Sequence, residues 1–205
     1  FSPSSTFTVN NGGILNSNSN ISTLNSGTFI LNTGGTVFNS GSFRTQGTVT
    51  LSVRNGSVFN APLNVNTGST IANESISPYI ANFFNNVTID NGATLNTGGS
   101  IAYNTVVYGT VTNYGTITGS GDFIVHGPGL INNSSINPSS LKFNSACNIS
   151  GAGTFTSANI LIDTAGSVTL SSSVTFSPAT KMEINNGGIL KPNAFTFTFN
   201  SGAFY

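Results

Sequence analysis

Short runs of alternating apolar and polar residues follow one another along the whole chain, separated by glycine and asparagine. Thr6-Phe7-Thr8-Val9, Thr28-Phe29-Ile30-Leu31 and Thr48-Val49-Thr50-Leu51 are typical. Runs of β-branched and aromatic residues bounded by Asn-Gly or Gly-Gly predict strands and turns, and no stretch shows the apolar spacing of a helix. The pattern predicts an all-β protein.

The turn sequences repeat at a nearly fixed interval. Asn10-Asn11-Gly12-Gly13-Ile14-Leu15 returns letter for letter at positions 185–190, and Gly12, Gly34 and Gly56 are equally spaced. Asn-Gly pairs also suit antiparallel hairpins, but hairpins do not require one turn sequence to recur at a fixed period. Such a period indicates an array in which each repeat buries its apolar face on the next. We therefore predict a single-chain parallel β-helix (β-solenoid), right-handed by the crossover rule, with about nine coils of roughly 20–24 residues.

One stretch interrupts this rhythm. Between Glu74 and Asn86 there is no glycine, and Pro78, Tyr79, Phe83 and Phe84 crowd together. Insertions in repeat proteins map to loops on one face. We expect one solenoid domain over residues 1–205, with an irregular insertion or enlarged coil at 74–86 where a short helix could form.

Composition narrows the functional classes. The chain has 30 Asn, 29 Ser and 27 Thr, whereas Lys plus Arg and Asp plus Glu number five each. A net charge of zero argues against nucleic acid as a partner. No apolar run is long enough to span a bilayer, and the single cysteine, Cys147, excludes an intramolecular disulfide. We expect Cys147 to be a small buried apolar residue.

Four charged residues recur in the second half at about the spacing of one coil. Asp122, Lys142, Asp163 and Glu183 are almost evenly spaced, each between mostly apolar neighbours. A coil of that length would align them as one outward row, about 4.8 Å between neighbours, with Phe123 and Phe143 stacked inside. The row could be a surface ion-pair ladder around Lys142, which we favour. Alternatively, Asp163 and Glu183 could share a cation through their oxygens.

Catalytic chemistry has little support in the sequence. His126, the only histidine, follows Asp122 by four positions. On a strand this is about 13 Å, so the two side chains cannot form a dyad, although a partner from another coil stays open. Polysaccharide hydrolysis needs two carboxylates placed together. A serine acts as a nucleophile only when a base beside it accepts its proton. We predict no enzymatic activity, no catalytic residues and no cofactor.

Threonine pairs raise a different possibility. Regular outward threonine rows on a flat solenoid face can order water in antifreeze proteins, and the chain has six Thr-x-Thr pairs, including Thr48/Thr50 and Thr110/Thr112. Their sequence spacing is irregular, and solvated strands commonly carry outward threonine. Ice binding is therefore an alternative, with these four residues as candidates.

The phrases Asn113-Tyr114-Gly115-Thr116-Ile117-Thr118-Gly119-Ser120-Gly121 and Asn185-Asn186-Gly187-Gly188-Ile189-Leu190 resemble the repeats of secreted bacterial parallel β-helix adhesins and autotransporter passengers. The resemblance covers most of the chain. It implies a secreted or cell-surface stalk, with a glycan or another surface as its ligand.

Neither end of the sequence has the polar character of a solenoid cap. We expect either flanking sequence in a longer natural chain or end-to-end assembly into filaments through unpaired strand edges. A second alternative function is a carbohydrate-binding or polysaccharide-degrading β-helix.

Overall fold

The computed structural model describes residues 6–39, 41–54, 57–74, 80–99, 103–163 and 165–205, with the side chain of Asn39 excepted. Over these residues the chain forms twenty-seven β-strands and no helix. The short helix considered for the 74–86 stretch is therefore not formed among its described residues, while residues 75–79 lie outside them.

The strands form three parallel stacks, called faces 1, 2 and 3. Face 1 contains β1 (Thr6–Val9), β4 (Gly27–Leu31), β7 (Val49–Val53), β10 (Thr70–Asn73), β13 (Thr94–Asn96), the first parts of β16 (Thr116–Val125) and β18 (Ser135–Phe143), β20 (Thr154–Phe155), β23 (Val174–Phe176) and β26 (Phe197–Phe199). Face 2 contains β2 (Ile14–Asn18), β5 (Thr36–Asn39), β8 (Val58–Asn60), β11 (Ile80–Phe83), β14 (Asn104–Val107), the last parts of β16 and β18, β21 (Asn159–Ile162), β24 (Lys181–Ile184) and β27 (Ala203–Phe204).

Face 3 is a separate sheet with one strand per coil. It contains β3 (Ser22–Leu24), β6 (Phe43–Thr45), β9 (Leu63–Val65), β12 (Val87–Ile89), β15 (Val111–Asn113), β17 (Gly129–Asn132), β19 (Ala146–Ser150), β22 (Ser167–Leu170) and β25 (Ile189–Lys191). The stack makes about eight turns. The predicted all-β parallel solenoid is thus confirmed, whereas its right-handedness stays a prediction.

Coil length varies more than the repeat predicts. Asn104 pairs with Asp122 across a short coil, whereas Val87 pairs with Val111 across a longer one. The coil that includes the 74–86 stretch is also long, since Phe59 pairs with Phe83. A coil can absorb these differences because its corners lengthen or shorten while the strands keep their stacking partners.

Alternate strand positions point inward and fill the interior with apolar side chains. Phe29, Phe43, Phe59 and Phe83 are fully buried, and successive rings lie 5.3, 5.5 and 5.7 Å apart between centroids. Each ring pair adds about 0.5–1.5 kcal/mol to the free energy gained from area burial. This set of rings, called the aromatic ladder, packs successive coils against each other in the interior.

The repeated glycine motif is a turn. In Asn10–Gly13, the Gly13 N–H donates to the Asn10 carbonyl at 2.8 Å, and Gly12 has φ +74°. In Asn185–Gly188 the equivalent bond is 2.7 Å, and Gly187 has φ +89°. A positive φ at the third position is the signature of a type II turn, which favours glycine. However, the first turn joins face 1 to face 2 and the second joins face 2 to face 3, so the two copies occupy different corners.

Candidate functional site

The predicted single row of charged residues is wrong. Asp122 pairs with Ser140, two positions before Lys142, and Lys142 pairs with Leu161, which in turn pairs with Glu183. Asp163 follows β21 and lies at the corner. The short coils here, together with a register shift between Gly119 and Asp122, leave only Lys142 and Glu183 in one column, two coils apart with Leu161 between them. Phe123 and Phe143 are both buried as predicted, but Phe123 pairs with Leu141, so the two rings are not in one stack.

The ion-pair interpretation of Lys142 agrees with the geometry. Its Nζ lies 2.5 Å from Asp122 Oδ2, and the Asp122 side chain is only 9% exposed. Glu183 pairs with Lys181 at 2.5 Å within the same strand. Asp163 Oδ1 accepts a hydrogen bond from Asn185 Nδ2 at 3.0 Å. Among the described residues no cluster of three or more His, Cys, Asp or Glu side chains could hold a metal ion.

An outward column of hydroxyl side chains runs along face 1 and was not predicted. Thr50 pairs with both Thr28 and Thr70, so the register gives one hydroxyl per coil. The column, called the threonine column, contains Thr6, Thr28, Thr50, Thr70, Thr94, Thr116, Ser135, Thr154, Thr175 and Thr198. Of the four candidate ice-binding residues, Thr50 belongs to it, Thr48 precedes β7, Thr112 belongs to face 3, and Thr110 directly precedes that strand. These four residues therefore do not form one surface.

A second column lies at the corner between faces 2 and 3. Its members follow the face-2 strands directly, and each backbone N–H donates to the preceding coil: Tyr108 to Phe83 at 2.9 Å and His126 to Val107 at 2.9 Å. The column, called the corner column, contains Phe84, Tyr108, His126, Asn144, Asp163 and Asn185. It presents three rings and then three polar side chains on six successive coils.

The ring half of the corner column is exposed and ordered by stacking. The Phe84 and Tyr108 rings are 5.0 Å apart and nearly parallel, at 5°. The His126 ring lies 5.0 Å from Tyr108 at 63°. Phe84 is 43% and Tyr108 39% exposed, although large apolar rings favour the core. The sheet therefore holds an aromatic surface facing solvent.

Glycine allows the coils to approach closely beside these rings. A Cβ atom on Gly109, directly after Tyr108, would overlap the backbone of Asn85 and Asn86. One on Gly127, directly after His126, would overlap the Gly109 carbonyl. The corner backbone is consequently packed too tightly for side chains at these positions, which fixes where the preceding rings lie.

A cleft opens where the rings meet the polar half of the column. It has a volume of about 350 Å³ and is lined by His126, Asn144, Asp163 and Ala165. Asn144 Oδ1 is buried and has no hydrogen-bond partner, and the same holds for the neighbouring Ser145 Oγ. Unsatisfied buried polar atoms are rare in folded proteins, and two neighbouring ones occur at this corner; among the described residues Ser157 Oγ, between β20 and β21, is a third.

Sequence reasoning singled out His126 and Asp163 separately but did not bring them together. The steps along the corner column are unequal in sequence, since Phe84 to Tyr108 is longer than Tyr108 to His126, and no fixed period aligns such a series. A local signal could have linked Tyr108 and His126, since each directly follows a short continuous apolar run and precedes a glycine, but it does not extend to Asp163.

Cys147 lies in the interior of face 3, as expected. It is 2% exposed, and burial raises the pKa of its thiol from 9.0 to about 12. A thiol in this environment stays protonated and is a poor nucleophile. Cys147 is therefore part of the core and not of a reactive site.

In the part of the chain that the structure describes, no helix has the length and hydrophobicity required to cross a bilayer. Comparison of the sequence and structure with known protein families, with curated proteins and with solved structures finds no match.

Proposed function

We propose that the chain is a non-catalytic adhesive rod of a secreted or cell-surface protein, which holds binding side chains in line on a rigid solenoid. The observation that carries the proposal is the corner column, where exposed rings and polar groups recur on six successive coils. Exposed aromatic side chains beside hydrogen-bonding groups are typical of binding surfaces. The fully buried interior supplies the rigidity that such a surface needs.

The composition of the cleft supports binding without catalysis. Its described lining includes one carboxylate, Asp163, whereas glycoside hydrolysis commonly uses a pair. The His126 ring packs against Tyr108. We therefore propose that these groups contact a ligand and leave its bonds intact.

Adhesion can be measured directly with the purified chain. Beads that carry it are allowed to settle on surfaces coated with neutral polysaccharide, acidic polysaccharide or gelatin, and retention under flow is compared with albumin-coated beads. The proposal predicts retention on at least one surface without release of reducing ends or unsaturated sugars. Retention no greater than albumin on every surface would contradict the adhesive role, and sugar release would contradict the absence of catalysis.

End-to-end association is a further part of this proposal. Among the described strands, β27 pairs with β24 and has no strand on its other side, and Phe204 of β27 is 50% exposed. Unpaired strand edges can pair with another chain. Light scattering over a concentration series should show growing assemblies, while a strictly monomeric solution at high concentration would exclude assembly by this chain.

The threonine column favours a second candidate function, ice binding. Its hydroxyl groups are spaced about 4.8 Å apart along the rod. The neighbouring outward positions are mixed, for example Ile30, Ala72 and Asn96, so the regular surface is one residue wide. This function predicts faceted ice crystals and a freezing gap in dilute solution, both abolished by Thr94→Tyr. Unfaceted crystals without a gap would eliminate it.

A further inference from the structure

We propose that the cleft of the corner column binds a sugar residue of a neutral glycan, with His126 as its aromatic wall and Asn144 and Asp163 as its hydrogen-bonding groups, while Tyr108, packed on His126, extends the aromatic surface one coil beyond the cleft. The inference rests on the proposed adhesive function and specifies its ligand class. A buried hydrogen-bond acceptor without a partner destabilises a fold by about 1–3 kcal/mol. Asn144, one of the residues that line the cleft, carries such an acceptor in its Oδ1 atom.

The Asn144 amide is suited to a hydroxyl ligand. The described hydrogen bonds include none from its Nδ2, so rotation of the amide toward the cleft would break no bond. An amide offers an acceptor oxygen and a donor nitrogen, whereas a sugar hydroxyl can both donate and accept. Either orientation of Asn144 therefore has a complementary hydroxyl orientation. The adjacent Asp163 carboxylate provides further acceptor capacity while it holds Asn185.

Charge selects against anionic ligands. Asp163 is the one carboxylate in the described lining, and no lysine or arginine lines the cleft there. The nearest cationic side chain along the chain, Lys142, is paired with Asp122 at 2.5 Å. A uronate or phosphate would meet a charge of the same sign in a lining whose described residues include no lysine or arginine to bind it, which is unfavourable at close range. A ligand rich in hydroxyl groups and without negative charge avoids this cost.

The rings supply the remaining contact. A pyranose has faces made of C–H groups, and burial of such apolar area against aromatic rings is favourable. The cleft volume of about 350 Å³ lies at the small end of ligand sites, which suits a single sugar unit.

The column continues beyond the cleft in both directions. Its six coils at about 4.8 Å spacing give a track of about 24 Å, from Phe84 to Asn185. A track of this length suits an oligosaccharide aligned with the rod better than a free monosaccharide.

Affinity electrophoresis in gels that contain dextran, galactomannan, glucomannan or xyloglucan tests the proposal, with polygalacturonate as the acidic comparison. Asn144→Leu removes the amide, and Tyr108→Ala removes the ring. Asn148→Leu is the matched control because Asn148 is exposed on face 3, and Tyr114→Ala is the second control because Tyr114 is 47% exposed outside the column. Circular dichroism confirms that each variant is folded.

We expect at least one neutral polysaccharide to retard the native chain, an affinity loss of about tenfold for each corner variant, and less than about twofold for each control. The proposal is overturned if no neutral polysaccharide retards the chain, if only polygalacturonate does, or if corner and control variants behave alike. Bead retention distinguishes a wrong ligand class from a wrong adhesive function. Beads that still adhere while no neutral glycan binds would refute the ligand class alone, and loss of both would refute the adhesive function as well.

Discussion

Replacement of Phe59 by alanine tests how the interior is built. Phe59 is fully buried on β8, and its ring centroid lies 5.5 Å from Phe43 and 5.7 Å from Phe83. The substitution removes one ring from the middle of the aromatic ladder and with it the contacts to Phe43 and Phe83, while Phe43 keeps its contact with Phe29. Phe38 is the matched control, because it lies on the adjacent strand β5 but points outward and is 51% exposed.

The expected magnitudes differ severalfold. Phe-to-Ala substitutions in well-packed cores cost about 3–5 kcal/mol, and Phe59 loses two ring contacts. We therefore expect Phe59→Ala to lower the free energy of unfolding by about 4 kcal/mol. Phe38→Ala leaves no internal cavity, so we expect a change within about 0.5 kcal/mol, as at ordinary surface positions.

Urea denaturation followed by far-ultraviolet circular dichroism measures both losses, and native-state hydrogen exchange locates them. Because each coil of a solenoid contacts its neighbours, the loss of protection should concentrate on β5, β8 and β11 and spare β21 and β24. Equal destabilisation by the two variants, or a larger cost for Phe38→Ala, would show that the inward and outward assignments are wrong.

Three further predictions concern packing, charge and titration. Gly127→Ala should destabilise the chain by about 1–3 kcal/mol or more because its Cβ overlaps backbone, whereas Gly99→Ala, with open space around it, should change stability by less than about 0.5 kcal/mol in the same denaturation assay. Lys142→Met should cost about 1–3 kcal/mol in urea denaturation because it leaves the nearly buried Asp122 without its cation; no loss would contradict the pairing. The folded-state pKa of Cys147 is raised to about 12 from 9.0, so its contribution to stability is complete below pH 9 and lost as the pH rises towards 12. The difference in unfolding free energy between the native chain and Cys147→Ala should shrink over that range, and a constant difference would contradict the assignment.

The sequence predicted the solenoid because its two signals are local. Alternation marks the strands, and Asn-Gly or Gly-Gly marks corners that need a positive φ, as at Gly12 and Gly187. Neither signal says which corner a turn occupies. The identical segments at Asn10 and Asn185 join different pairs of faces, because the type II turn has the same internal geometry wherever the chain must change direction.

Register was harder to predict because coil length changes along the rod. The threonine column is regular in space although its members are unevenly spaced in sequence, since the step from Thr50 to Thr70 is shorter than the step from Thr70 to Thr94. Asp122 and Lys142 show the reverse case. Their separation in sequence matches an average coil and predicts that they pair, but the coil there is shorter and Asp122 pairs with Ser140. Their contact is formed diagonally, through a long lysine side chain. An averaged period therefore finds the fold but misplaces individual side chains.

The most direct test of the central claim maps the bound glycan onto the solenoid. The ¹⁵N-labelled chain is titrated with an oligosaccharide prepared from the neutral polysaccharide that retards it in the gel, and amide chemical shifts are followed by nuclear magnetic resonance. We predict the largest shifts at Tyr108, His126, Asn144 and Asp163, with the threonine column unchanged. Shifts concentrated on the threonine column, or none at the corner column at saturating ligand, would contradict the claim that this corner is the binding site.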